Sequence, residues 1–396
     1  MNGRQRIALT MRHRAPDRVP VMCQLSIGHY NLNGGYKPHQ IWYEPEPFAD
    51  ATLKLARRYG FDGVLVVLPG RPENYLKSVV SIREESDGEW LTWRNGDRVF
   101  LPWDDMPHFH PADTRKPTRA DFETFDPDRD ILRIDDYTGY LWNFNYHIQD
   151  LPEKDYGGPL QAGRIPEYTF RPFDIVKAKA GDDLSVHASI YSPLTQFFEL
   201  FGYEHALTGF LSDSAKAHAV LDLLTGGVIA YALAFVARGA DAIDHTSAFV
   251  GAPFLSRRMY REFVIPYEAR VNQAIREAGG IVYTHTCGRI GDRLDLMCET
   301  ETQGIDTLDP PPLGNGDLAA AKRDFGSRLF FKGNMDSVAL LNYKTPEEVA
   351  ESASRTLLAG KPGAGYILST ACSVAPRVEP WKLEMLAPLA DRLGRY

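Results

Sequence analysis

The chain has 396 residues, of which 44% are hydrophobic and 24% charged, with a formal net charge of −8. That is enough apolar material for one large α/β barrel or for two to three ordinary domains. The acidic balance gives no electrostatic case for nucleic acid or an anionic membrane surface, and four cysteines in this length do not make a disulfide framework. Cysteines used so sparingly fit a reducing cytoplasm, where they more often bind metal or catalyse. The opening Met1-Asn2-Gly3-Arg4-Gln5-Arg6 is polar and lacks an apolar signal core.

Taken in chain order, residues 19–24 and 63–68 read as the first two strands. Residues 184–190, 241–245, 281–285, 305–308, 329–333 and 366–371 follow as six more. These runs are short and rich in Val, Ile, Leu and Phe, as strands covered on both faces are. Helical spacing is clearest over 47–59, 255–278, 317–324, 345–358 and 380–393. Pro346 suits a first helical turn after Thr345, and Gly60 suits a helix end. The uncharged stretch 223–237 is too short to span a bilayer and reads as a buried helix. Eight alternations of strand and helix predict a (β/α)8 TIM barrel occupying the whole chain as one domain.

One interval breaks the alternation. Residues 69–183 are rich in Pro, Asp, Trp and Tyr, and within them Ser86-Asp87-Gly88 separates two strand-like runs, 79–83 and 89–94, as a hairpin turn would. Asn95-Gly96 marks a further turn before 98–101. The interval reads as an insertion over the barrel mouth without a core of its own, serving substrate access, structure or oligomer contacts. His108 and His110 share one strand face, with surface residence as the simplest reading. Trp90, Trp93 and Trp103 are packing material for the hairpin.

Chemistry concentrates in two clusters, Thr284-His285-Thr286-Cys287-Gly288 and Ser369-Thr370-Ala371-Cys372-Ser373, each just past a strand-like run. A His and a Cys two residues apart on extended backbone point to one side and can reach one ion. An imidazole with two thiolates suits zinc in a tetrahedral site with one position left open. The plainer alternative is a satisfied core histidine near two inert thiols. Asp309, Asp244 and His245 also fall at strand ends, the face where catalytic groups gather in this fold. Asp244 and His245 are candidates for acid, base or substrate anchor, against a structural pair. Tyr191, Gln196 and Arg289 are candidate pocket residues, against ordinary helix-start or rim positions. Arg257-Arg258 reads as a solvated helix face, and Gly314-x-Gly316 lacks the context of a phosphate loop.

Several segments together resemble the uroporphyrinogen decarboxylase superfamily over most of the chain. They are Arg4-Gln5-Arg6-Ile7-Ala8-Leu9 with Ala15-Pro16-Asp17-Arg18-Val19-Pro20-Val21, then Gly239-Ala240-Asp241-Ala242-Ile243. Leu255-Ser256 with Arg261-Glu262-Phe263-Val264-Ile265-Pro266-Tyr267 follows, and Lys332-Gly333-Asn334-Met335-Asp336 resembles that family's "GNLD" turn. The chain departs from a porphyrinogen decarboxylase where that enzyme carries an arginine-rich loop. Here Met22-Cys23-Gln24-Leu25-Ser26-Ile27-Gly28-His29 has no arginine to clamp substrate carboxylates.

His-x-Cys with a distant Cys instead resembles the superfamily's zinc methyltransferases, which move methyl groups between a corrinoid and a thiol or another methylated small molecule. The resemblance implies His285, Cys287 and Cys372 as zinc ligands, with Asp309 as a fourth ligand, a partner of a ligand, or a helix cap. No Asp-x-His-x-x-Gly corrinoid signature is found in the chain. The resemblance therefore implies a corrinoid (cobalamin) supplied from outside, free or on a separate protein, and it leaves a homodimer open. Two alternatives stand beside this reading: a metal-independent decarboxylase or lyase of the same superfamily, and a noncatalytic zinc-stabilised binding scaffold. The aromatic insertion hints at a methylated substrate bulkier than a simple thiol, such as an aryl methyl ether.

Overall fold

The computed structural model describes residues 1–115, 117–131 and 165–396. Eleven strands are described: β1 (Gly63–Val66), β2 (Val79–Glu84), β3 (Gly88–Trp93), β4 (Arg98–Pro102), β5 (His108–His110), β6 (Ser185–Tyr191), β7 (Ala242–Thr246), β8 (Val282–Thr286), β9 (Gly304–Thr307), β10 (Phe330–Met335) and β11 (Tyr366–Thr370). Seven of them form a curled parallel sheet in the order β1-β6-β7-β8-β9-β10-β11. Nearly every residue in these seven is buried, which is why they read as apolar runs without alternation. Both edges of the sheet reach residues 18–25. Val21 bridges Leu368 and Leu25 bridges Val374, both in the parallel sense, while Asp62 N donates to the Val21 carbonyl over 2.7 Å just before β1.

The segment 19–24 is thus not the regular strand its composition predicts. Pro20 has no N–H to donate, so only its carbonyl joins the ladder, accepting from Leu368 N. Two expected helices are also each divided. The span 255–278 is Arg257–Phe263 and Ile265–Glu277, broken at Val264 just ahead of Pro266. The span 380–393 is Pro380–Glu384 and Leu386–Leu393, the second with Pro388 in its first turn. By contrast Pro346–Gly360 begins as its sequence dictates, with Thr345 and Glu348 capping each other's backbone.

Along the concave face of the sheet the residues fall into levels. Near the strands' N-terminal ends Met22, Leu65, Ala242, Tyr283, Phe330 and Ile367 pack together with Ile7 and Met11, which come from and just past helix Gly3–Thr10. Further along, Thr246, His285, Asp306 and Lys332 are successive register partners on β7, β8, β9 and β10. A parallel ladder places register partners on the same face, so this polar row lies side by side.

The interval 69–183 contains the antiparallel sheet β2-β3-β4-β5. Leu91, Trp93, Val99 and Leu101 on one of its faces join the main core, with Trp93 edge-on to Tyr43 at 5.6 Å. The opposite face carries Trp90, Phe100, His108 and His110, with the Arg98 guanidinium 3.9 Å above the Trp90 ring. Helix Arg171–Ala180, late in the same interval, packs on β1, β6 and helix Pro45–Tyr59 and acts as the crossover between the two strands. Residues 132–164 of the expected insertion lie outside the described residues.

Helix Ser214–Ala237 is longer than its uncharged stretch, and by length and composition it could cross a membrane. Its buried residues recur every three or four positions, from Ala217, Val220 and Leu221 to Ala232 and Phe235, and it packs on Pro193–Phe201 and Ile265–Glu277. Half of its most apolar window is buried inside the protein, the pattern of a core-facing helix.

Candidate metal centre

β8 carries His285 on the concave face and ends at Thr286, so Cys287 follows on the same side. Gly288 then turns the chain at φ +82°, a conformation a side chain would resist. β11 ends at Thr370, and Cys372 follows two residues later. These separate segments meet. Cys287 Sγ lies 3.5 Å from Cys372 Sγ and 3.7 Å from His285 Nε2, and the three ligand atoms all fall within 4.8 Å of one another.

Two distances decide what this cluster suits. A disulfide would bring the sulfurs to about 2.05 Å, and both cysteines are free thiols. Zinc–sulfur bonds of about 2.3 Å and zinc–nitrogen bonds of about 2.0–2.1 Å at tetrahedral angles place S···S at about 3.8 Å and S···N at about 3.6 Å. The observed separations agree within a few tenths of an ångström. The donor set therefore fits a tetrahedral zinc ion.

The electrostatics point the same way. The Cys372 thiol is held well below the ordinary thiol range because Cys287 donates to it and His285 lies alongside. Cys287 is held well above that range by the same contact and by burial. Burial alone would lower the His285 pKa, but the Asp306 carboxylate and the two sulfurs raise it well above its usual value. Negative charge thus gathers around Nε2, where a cation would settle. On the other side of the ring Nδ1 is 3.0 Å from Asp306 Oδ2, which Lys332 Nζ also reaches at 2.8 Å. All three side chains are buried.

The remaining sequence candidates are placed unevenly. Asp309 Oδ2 accepts from Gly288 N at 2.6 Å, while Oδ1 is buried without a partner among the described residues. Burial and the nearby Cys372 raise its pKa, against the pull of Gly288 N–H. It stands beside the cysteine loop but outside the group of three ligand atoms. Asp244 and His245 separate across the sheet. Asp244 shares the concave face, accepts from Ser189 and Thr246 hydroxyls at 3.1 Å each, and groups with His285 and Asp306. Burial pushes its carboxyl up to about 6. His245 turns the other way, its Nδ1 2.7 Å from Asn272 Oδ1 in helix Ile265–Glu277. Period-two alternation along β7 makes this split unavoidable.

Tyr191 ends β6, and Gln196 Nε2 donates to its carbonyl at 3.2 Å. Arg289 is exposed two residues past Cys287, and its carbonyl accepts from Ala252 N. Asp306 and Lys332 escaped the sequence reading as site residues. Each is a lone charge inside an otherwise uncharged buried strand, a placement that calls for an ionic partner.

The fold and the clustered donors define an α/β protein with a polar site at the strand ends, and comparison with known proteins gives it a family. The uroporphyrinogen decarboxylase (URO-D) family model matches residues 158–393, and the chain belongs to that family. It is 27% identical over 228 residues to the methylcobamide:CoM methyltransferase MtbA of Methanosarcina acetivorans, covering 57% of this chain and 65% of that one. It is 29% identical over 192 residues to the uroporphyrinogen decarboxylase of Pelodictyon phaeoclathratiforme, covering 46% and 51%. The chain thus spans less than two thirds of the length of these two relatives. A solved methyltransferase from Methanosarcina mazei superposes with a TM-score of 0.70 over 99% of both chains, at 18% identity, which establishes a shared fold.

Proposed function

We propose that the protein is a zinc-dependent methyltransferase that moves a methyl group between a corrinoid and a thiol or other methylated small molecule. The observation that carries this reading is the convergence of His285 Nε2, Cys287 Sγ and Cys372 Sγ at spacings suited to one tetrahedral ion. The fold in this reading is a (β/α)8 barrel spanning the chain as one domain, closed by residues 18–25, with the antiparallel sheet β2-β3-β4-β5 laid over its mouth. When bound, zinc supplies a Lewis-acidic open position that lowers the pKa of a substrate thiol and makes it nucleophilic at neutral pH.

The chain's own residues hold and shape that position. His285 would ligate from β8, Cys287 from the turn after it and Cys372 from the loop after β11. Asp309, whose Oδ1 is buried without a partner among the described residues, would be the candidate fourth ligand. Asp244 faces the centre and is the candidate acid or base, whereas His245 points away from it and is held behind the sheet by Asn272. Tyr191, Gln196 and Arg289 line the approach. The corrinoid comes from outside the chain, free or on a separate protein, and the reaction takes place in a reducing cytoplasm that keeps the thiols intact.

Relatives named as decarboxylases match at comparable identity, so similarity by itself does not choose the chemistry. The arginine-free segment 22–29 and the three-donor cluster favour methyl transfer. Metal analysis of the purified chain, with methyl transfer from methylcobalamin to a panel of thiols, tests this reading. One zinc per chain is expected, and Cys372→Ala should stay folded, lose zinc and lose at least about 100-fold in transfer rate. Stoichiometric zinc without methyl transfer across a broad panel would leave the scaffold reading in its place.

A further inference from the structure

We infer that Asp306 and Lys332 act together as positioning residues that select the tautomer of His285 and aim its Nε2 at the metal position; this rests on the metal reading above. The geometry is a row across three adjacent strands, since His285 pairs in register with Asp306 and Asp306 with Lys332. Two contacts converge on one atom. Asp306 Oδ2 lies 3.0 Å from His285 Nδ1 and 2.8 Å from Lys332 Nζ, while Oδ1 accepts from Thr307 N at 2.8 Å.

The hydrogen-bonding inventory then leaves one arrangement. A lysine ammonium has three protons to give and nothing to accept with, so the oxygen it meets must be an acceptor. The same oxygen must accept from His285 as well, which puts a proton on Nδ1. With Nδ1 committed as a donor, Nε2 is the nitrogen whose lone pair can ligate, and it is the nitrogen beside the sulfurs. Without the ammonium, Oδ2 could take either role and the ring could hold either tautomer. Asp306 alone would orient the ring; Lys332 makes the orientation chemically specific. Partners of this kind around a ligating histidine typically influence metal affinity by about 10–100-fold.

A purely structural ion pair is the competing account, because removing one member of a buried pair destabilises the fold while removing both need not. The full chain, as wild type, Asp306→Asn, Lys332→Met and the double variant, separates the two. Three quantities are read: zinc affinity by competition with a chromophoric chelator, the visible spectrum of the Co²⁺-loaded protein, and thermal unfolding without metal. All three variants are expected to bind zinc about 10–100-fold more weakly, with altered cobalt bands. The double variant should nevertheless recover stability that the single substitutions lose. Should the singles fail to fold, the double still decides the matter, since wild-type affinity and an unchanged cobalt spectrum there would overturn the inference. A wild-type chain that takes up neither metal would overturn the centre itself; a wild type that binds while the double variant binds equally well overturns this inference alone.

Discussion

His187 on β6 and His285 on β8 belong to the same curled sheet, and both rings are buried, yet their protons behave oppositely. His187 meets hydroxyls only, Ser185 Oγ at 2.9 Å and Tyr283 OH at 3.0 Å, and burial lowers its pKa to about 3. His285 suffers the same burial, but a carboxylate and two sulfurs reverse the result. The carboxyls repeat the contrast. Glu268, with one hydroxyl partner, is pushed up to about 7 by burial, whereas Asp306, equally buried, is held below its usual value by Lys332 and His285. For these four side chains burial sets the same default, a neutral group, and a charged partner overrides it at His285 and Asp306.

The sharpest way to break this contrast is Asp306→Ala. It leaves the Lys332 ammonium, 1% exposed, without its carboxylate. A loss of about 3–5 kcal/mol of unfolding free energy is expected, read from denaturant melts of the metal-free protein. A loss under about 1 kcal/mol, the usual value for exposed pairs, would mean that water reaches the row and that its charges are not held by one another.

Next in size is the acid limb. The folded His187 pKa is depressed, so its neutral ring contributes stability that is present above pH 6.5 and is lost as the pH falls toward 3. Between pH 6.5 and 3.5 that group accounts for about 4 kcal/mol. His187→Gln, which keeps a polar side chain of similar reach, should give a correspondingly shallower fall in the same window. Identical acid limbs in the two proteins would show that the ring is already protonated or already wet.

These contrasts were only partly legible in the sequence. The seven strands stand out because each is a short apolar run, and their true limits fall within two residues of the expected ones. His285, Cys287 and Cys372 stand out because soft ligands at two strand ends are an unusual coincidence. The segment 19–24 misleads because its apolar residues are real but Pro20 breaks the ladder. The division of labour between Asp244 and His245 follows from strand alternation, though which of them faces inward depends on the curl of the sheet. Asp306 and Lys332 are 26 residues apart in the chain, and their register can be read only once β9 and β10 are laid side by side. Composition marks them as charges needing partners and leaves the partner unnamed.

Glu268 sharpens the carboxyl half of the comparison. Its folded pKa is raised to about 7 from 4.5, so the stability carried by its neutral form is full below pH 4.5 and is lost as the pH rises through 7. Above that the ionised group costs about 3 kcal/mol. Glu268→Gln keeps an acceptor for the Ser247 hydroxyl and removes the titration. Urea melts at pH 5 and pH 8 should differ less in the variant than in the wild type, and the variant should be the more stable of the two at pH 8.

The smallest and most pointed prediction concerns the third buried histidine. His245 sits behind the sheet against the Asn272 amide oxygen, and burial lowers its pKa to about 4 despite that hydrogen bond. It is therefore His285 with a neutral acceptor in place of a charged one. Asn272→Asp supplies the missing charge at the same 2.7 Å position, and the His245 pKa should rise above its ordinary value. The substitution also removes the donor that Asn272 Nδ2 offers to the Thr300 carbonyl, costing about 1–3 kcal/mol in stability. Histidine ¹⁵N shifts followed from pH 5 to 8 read the ring directly. If the His245 ring stays neutral throughout, a facing carboxylate is not sufficient, and the sulfurs rather than Asp306 would have to be what reverses the effect of burial at His285.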